Sequence, residues 1–223
     1  PAADAAFVVG SVMDTGTGAA THAAIGFWNG NSTQSCTATG FTGLFHIEAP
    51  NLPQGYVAAI NPVGSPPVGA LRAIDGTSAD HALAGGVNGT LLSCEKGGKW
   101  TQETPEYQGM PVAWSAAFDV KAIELVDNEA WVAGESYSLG VCRGVFLLHG
   151  TFTTKWAWDK LVVVSSLTTC GNPNDHTQLN RLWFDATTGW LYGVGSQGTD
   201  GDGSIVTANP AQRRPLITRI KLK

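Results

Sequence analysis

Apolar residues fall in short, strand-sized runs that end on glycine, break for a polar loop, and resume in a second apolar run. Ala6-Phe7-Val8-Val9-Gly10-Ser11 is followed by Ala24-Ile25-Gly26-Phe27-Trp28. His81-Ala82-Leu83-Ala84-Gly85 is followed by Gly89-Thr90-Leu91-Leu92. Ala130-Trp131-Val132-Ala133-Gly134 precedes Gly144-Val145-Phe146-Leu147-Leu148, and Trp190-Leu191-Tyr192-Gly193 precedes Gly203-Ser204-Ile205-Val206. Runs of this length bounded by Gly and polar clusters are strand signals. The unit extends both ways. Leu71–Ile74, Val120–Val126 and Leu179–Phe184 come before the glycine strand, and Lys99–Gln102, Lys155–Trp158 and Leu216–Ile220 come after the second run. Four strands joined by turns, then a restart, is the pattern of a propeller blade.

The anchor glycines Gly10, Gly85, Gly134 and Gly193 are separated by 75, 49 and 59 residues. A blade takes roughly 40–50 residues, so two steps carry insertions. One is 41–70, with the Pro-rich stretch Asn61–Pro67, and the other surrounds Cys170–His176. The pattern predicts an all-β chain, one β-propeller domain over 1–223. It would have about four (four to five) four-stranded blades, near 1–60, 68–110, 116–166 and 177–223. A β-sandwich would not require the same glycine at the same phase in consecutive units. By phase, Ala6–Ser11 is a second strand and Leu216–Lys221 a fourth, so a first strand is unaccounted for. Three alternatives stay open: residues 41–70 supply it, the chain is part of something longer, or the ring is incomplete and a partner covers its edge.

Composition sharpens this. Charged residues are 14% of the chain, against roughly 25% in an average soluble domain, while Gly (28) and Trp (8) are frequent. That mixture suits tight turns and a neutral polar surface. The net charge of −5 excludes a nucleic-acid footprint, which needs clustered basic surface. Only the tail from Arg213-Arg214 onward is locally basic. No apolar run approaches the roughly 18 residues of a membrane helix, so no transmembrane segment is expected, and membrane association would come only through a partner. Cys36, Cys94, Cys142 and Cys170 have no zinc-site spacing. They read as disulfide candidates of an exported protein, periplasmic or extracellular, with the pairing undetermined.

Ser93-Cys94-Glu95-Lys96-Gly97-Gly98-Lys99-Trp100 resembles the Asp-box turn, Ser-x-Asp-x-Gly-x-Thr-Trp, of sialidase-like propellers, with Glu95 in place of Asp and Lys99 in place of Thr. The Ala-Trp-Val-x-Gly and Gly-Trp-Leu-x-Gly strands resemble those of the photosystem II stability and assembly factor family. The resemblance covers 71–160 well and 179–223 loosely. It implies a propeller and a role as a scaffold docking on a larger, membrane-bound assembly, such as a photosynthetic one. That family carries a basic patch for its client, whereas this chain is acidic.

Catalytic sets are thin. A sialidase-like site needs three Arg, a Tyr–Glu pair and an acidic Asp; the six Arg are dispersed and no Tyr has a clear Glu partner. Paired carboxylates of a glycoside hydrolase meet only in the fold; Asp75, Asp80, Asp119, Glu124 and Asp127 lie in or beside the expected strands and turns, and turn chemistry explains Asp75-Gly76 and Asp127-Asn128. Asp200 and Asp202 could ligate calcium, but Thr199–Ser204 also reads as a Gly-rich hairpin. The five His are isolated from one another. Trp100, Trp131, Trp156 and Trp190 recur at core phases, while Trp28, Trp114, Trp158 and Trp183 are off phase. With Arg213 and Arg214, these last four are the candidate ligand or partner surface. The expectation is therefore a non-catalytic scaffold with a protein partner and no cofactor. A carbohydrate-binding propeller is the alternative and a glycoside hydrolase ranks third.

Overall fold

The computed structural model describes residues 5–13, 20–29, 41–47, 55–60, 71–78, 81–95, 100–106, 114–115, 117–136, 144–163, 175–199 and 214–221. These are strands and turns throughout; no helix occurs among the described residues, and so none that could cross a membrane. The all-β expectation holds. The strands form four antiparallel sheets, shared between two compact units, Pro1–Thr104 and Pro105–Lys223.

In the first unit, β1 (Ala5–Met13), β2 (Ala20–Asn29), β3 (Phe41–Ile47) and β4 (Gly55–Ile60) make a sheet in the order β1-β2-β4-β3. One expectation is corrected here: Ala6–Ser11 belongs to an edge strand rather than a second strand. Residues 41–60 supply two strands of this sheet, β3 and β4, as one of the three alternatives allowed. The Pro-rich stretch beyond lies outside the described residues.

The second sheet is a meander of β5 (Leu71–Ser78), β6 (His81–Gly86), β7 (Leu91–Glu95) and β8 (Thr101–Gln102). Asn88 (φ 57°) and Gly89 (φ 70°) turn the chain from β6 to β7, the left-handed pair that matches the twist of a tight hairpin. Thr90 N–H donates to Val87 O at 3.1 Å to close it. The Asp-box-like segment joins β7 to β8, and Ser93 Oγ donates to Glu103 Oε1 at 2.5 Å. Asp75-Gly76 lies within β5 beside a register shift, not in a turn; Asp75 Oδ1 accepts from Gly76 N–H at 2.9 Å.

In the second unit, β9 (Phe118–Val126), β10 (Glu129–Ser136), β11 (Gly144–Phe152) and β12 (Trp156–Val163) form a meander. Its neighbour is the three-stranded sheet β13 (Asp175–Asp185), β14 (Trp190–Thr199) and β15 (Arg214–Lys221). β15 pairs directly with β14, so Leu216–Ile220 takes the third place in its sheet and not the fourth. Between these two sheets Ala122, Trp131, Ala133, Val145, Leu147, Leu179, Leu182 and Leu191 form one buried cluster, with Phe184, Leu216 and Ile220 packed against it. Glu124 Oε1 accepts the backbone N–H of Phe184 at 2.9 Å, tying β9 to β13.

β10 is buried from Ala130 to Ser136, so it lacks the in–out alternation of a half-exposed strand, as a strand covered on both faces should. Its glycine is a steric necessity. A Cβ on Gly134 would fall on the carbonyl oxygen of Asp119 and within 2.9 Å of the Phe146 ring. This close approach sits at a bulge, where Lys121 is the extra residue opposite the Ala133–Gly134 step. The second sheet has a bulge at Arg72 opposite Gly85–Gly86, and the last has one at Asn180 opposite Val194–Gly195. Bulges bend and twist a strand locally, here beside each glycine-bearing segment. Gly134→Ala should cost roughly 3 kcal/mol in chemical denaturation, because backbone must move. Gly193→Ala should cost less, since its new Cβ would meet only the Thr218 methyl at 3.0 Å and Leu179 at 3.2 Å.

Candidate partner-binding face

The last sheet differs from its neighbour in having one covered face. Register places Leu179, Leu182, Phe184, Leu191, Leu216 and Ile220 toward the core, and the intervening residues on the opposite face. Those form three rows across the strands: Asp185–Trp190–Lys221, Trp183–Tyr192–Arg219 and Arg181–Val194–Ile217. Trp183 is 60% exposed, Val194 43% and Ile217 73%. Large apolar groups thus stand on the solvent side with three cations.

The face is internally ordered. Trp183 and Tyr192 stack, their ring centroids 5.5 Å apart and their planes at 24°. Among the described strands β13 lies at the edge of this sheet, and Trp183 is largely open to solvent beyond its stacked face. The Arg219 guanidinium lies 4.6 Å from the Trp190 ring centroid and Lys221 Nζ lies 5.3 Å away, so ring and cations hold one another. Lys221 Nζ also donates to the Thr188 carbonyl. At the hairpin end, Gly189 (φ 66°) donates to Asp185 O at 2.7 Å, closing the β13–β14 turn. Asp185 Oδ2 accepts from Thr188 Oγ1 at 2.5 Å and Oδ1 from Thr187 N–H at 2.9 Å. Hydrogen bonding to Thr188 foremost, opposed by some desolvation and helped by the Thr187 and Thr188 backbone, holds the Asp185 carboxyl below the usual aspartate range.

The remaining sequence candidates are distributed as follows. Of the off-phase tryptophans whose side chains are described, Trp183 is on the surface. Trp114 and Trp158 are buried, which corrects their assignment to a partner surface. Trp114 stacks on Phe118 at 4.6 Å, and Trp158 lies across Gly150, whose missing side chain makes room for the indole. Trp190, expected in the core, is half-buried on the outer face. Trp28 lies in β2 opposite Ala6, and Arg214 opens β15 opposite Gln197. Arg213, Asp200, Asp202, Cys36, Cys142, Cys170 and Asp80 lie outside the described residues. Cys94 is fully buried, and no free cysteine occurs among the described residues.

Two polar groupings invite a catalytic reading. Asp119 and Glu135 are buried register partners, and Lys121 Nζ is 4.0 Å from Glu135 Oε2. His149 Nδ1 lies 2.6 Å from Asp159 Oδ1 and its Nε2 3.7 Å from Glu129 Oε2, with the Trp131 ring 4.3 Å away. Asp159 is the extra residue of the β11–β12 bulge. This histidine joins β11 to β12 through Asp159, and its Nε2 is buried. No cluster able to hold a metal ion occurs among the described residues. No protein-family model, curated protein or solved structure matches the chain.

Trp183 was legible in the sequence as an off-phase tryptophan, but Tyr192, Arg181 and Arg219 were missed. Their signal is apolar or aromatic character at both phases of the strands, in Leu182-Trp183-Phe184, Leu191-Tyr192 and Leu216-Ile217. A carboxyl titration by NMR should find Asp185 titrating below an ordinary aspartate, and Thr188→Ala should move it back upward. By linkage, the stability that Asp185 contributes is present above its unfolded value and is lost as pH falls through the lower folded one.

Proposed function

We propose that this chain is a non-catalytic, exported protein of β-propeller type that binds carbohydrate on the outer face of β13–β15. The observation that carries this reading is the exposed Trp183 stacked on the half-buried Tyr192, set among the exposed Arg181, Arg219 and Lys221. Aromatic side chains offer an apolar body for a sugar ring, with polar groups nearby to orient it. The face spans about 10 Å between outer strands and about 14 Å along the strands, roughly a few hundred Å² with side chains included. A stable protein interface uses about 800 Å² per partner. The size therefore favours a short oligosaccharide. Docking on a larger protein assembly is the second reading, favoured by Val194 and Ile217, which are aliphatic and exposed; it would need further surface beyond this sheet.

The propeller reading rests on the recurrence of a glycine-bearing strand beside a bulge in three of the sheets, and on the face-to-face stacking of the two sheets in the second unit. Export is the reading of the four widely spaced cysteines without zinc-site spacing, of which Cys94 is buried.

On a glycan array the protein should give discrete hits, and Trp183→Ala should remove them without altering the circular dichroism spectrum; an array without hits would end the carbohydrate reading. Peptide mapping of the non-reduced protein should recover Cys94 in a cross-linked peptide. Quantitative alkylation of Cys94 after denaturation without reductant would contradict export.

A further inference from the structure

The outer face of β13–β15 is cationic on an acidic protein. Arg181, Arg219 and Lys221 against Asp185 give it a formal charge of +2, whereas the whole chain carries −5. The single carboxylate is also turned to local use, since it accepts from Thr187 and Thr188. Of the three cations, Lys221 is engaged with the Thr188 carbonyl and Trp190. Arg219 is held over Trp190 with its donors in an exposed position. Arg181 is exposed one row from Trp183 on the same strand, about 7 Å along it. The aromatic pair thus has one arginine beside it along β13 and another across the sheet on β15.

A neutral sugar has no use for this arrangement. Two guanidinium groups flanking a stacking surface would be left without an anion, and Arg matches a carboxylate in a planar two-bond fork. We infer that the ligand is an acidic saccharide, a uronic-acid oligomer whose ring stacks on the open side of Trp183 while its carboxylates meet Arg181 and Arg219. This rests on the carbohydrate reading above. A carboxylate paired with an exposed arginine contributes modestly per contact, but cations on a small face also raise the encounter rate with an anionic chain and make binding weaken with salt.

The experiment is calorimetric titration of the full chain with oligogalacturonate and with a neutral galactan oligosaccharide of equal length, at low and high salt. The expected result is that oligogalacturonate binds at least about tenfold more tightly, and that this preference shrinks with salt. Arg181→Gln/Arg219→Gln should remove the preference, while Trp183→Ala should weaken both ligands. All three positions are exposed, so the variants should keep the parent's melting temperature. Equal affinity for the two oligosaccharides would overturn the acidic preference and leave carbohydrate binding standing. Binding of neither would remove both. Poly-glutamate bound as tightly as oligogalacturonate, and unaffected by Trp183→Ala, would show that charge alone is read and would overturn the inference.

Discussion

A sheet whose interior strands are apolar at both phases has to be covered on both faces, and this constraint organises the second unit. β10 is buried from Ala130 to Ser136. Its even-numbered neighbours in the register, Val132, Phe146 and Leu148, are buried as fully as Ala133, Val145 and Leu147 on the other side. Each fully buried Val, Leu or Phe is worth about 1.5–3 kcal/mol relative to exposure, so neither face could be left to water. Close packing follows, and Gly134 has no room for a side chain against the Asp119 backbone, nor Gly150 against the Trp158 indole.

The three-stranded sheet obeys the rule on one side only. Leu179, Leu182 and Leu191 are in the core, yet Trp183, Val194 and Ile217, at the alternate phase, face outward. An apolar residue exposed singly needs no explanation. Aromatic and aliphatic residues gathered in adjacent rows, with arginines between them, do call for one. The same sheet that completes the core thereby presents the candidate binding face, and the Asp185–Gly189 turn holds one end of it. Arg181 and Trp183 share the outer face by simple alternation, and the bulge at Asn180 lets Leu179 and Leu182, three residues apart, both reach the core.

The strand content was readable because glycine-terminated apolar runs and turn residues are local signals. Asp127, at φ 52°, and Asn88-Gly89 occupy turns as their chemistry requires. What was not readable depends on pairing. Nothing in Phe41–Ile47 or Gly55–Ile60 announces that β4 inserts between β2 and β3, because strand order is a long-range property. Leu216–Ile220 has the same local pattern whether it is a third or a fourth strand. Trp114 and Trp158 look spare by phase, yet Trp158 owes its burial to Gly150, a cross-strand partner placed opposite it by a bulge. The outer face was half legible. Its tryptophan stood out, but the residues beside it come from two other strands, and only the register brings them together.

The claim on which the functional account depends is that the outer face of β13–β15 is open in the free protein and is closed by a saccharide. Hydroxyl-radical footprinting reads this residue by residue. The account predicts rapid oxidation of Trp183 in the free protein, slow oxidation of Trp131 and Trp158, and protection of Trp183 when oligogalacturonate is added. Trp183 already as protected as Trp131 in the free protein, or unchanged by a saturating saccharide, would contradict it.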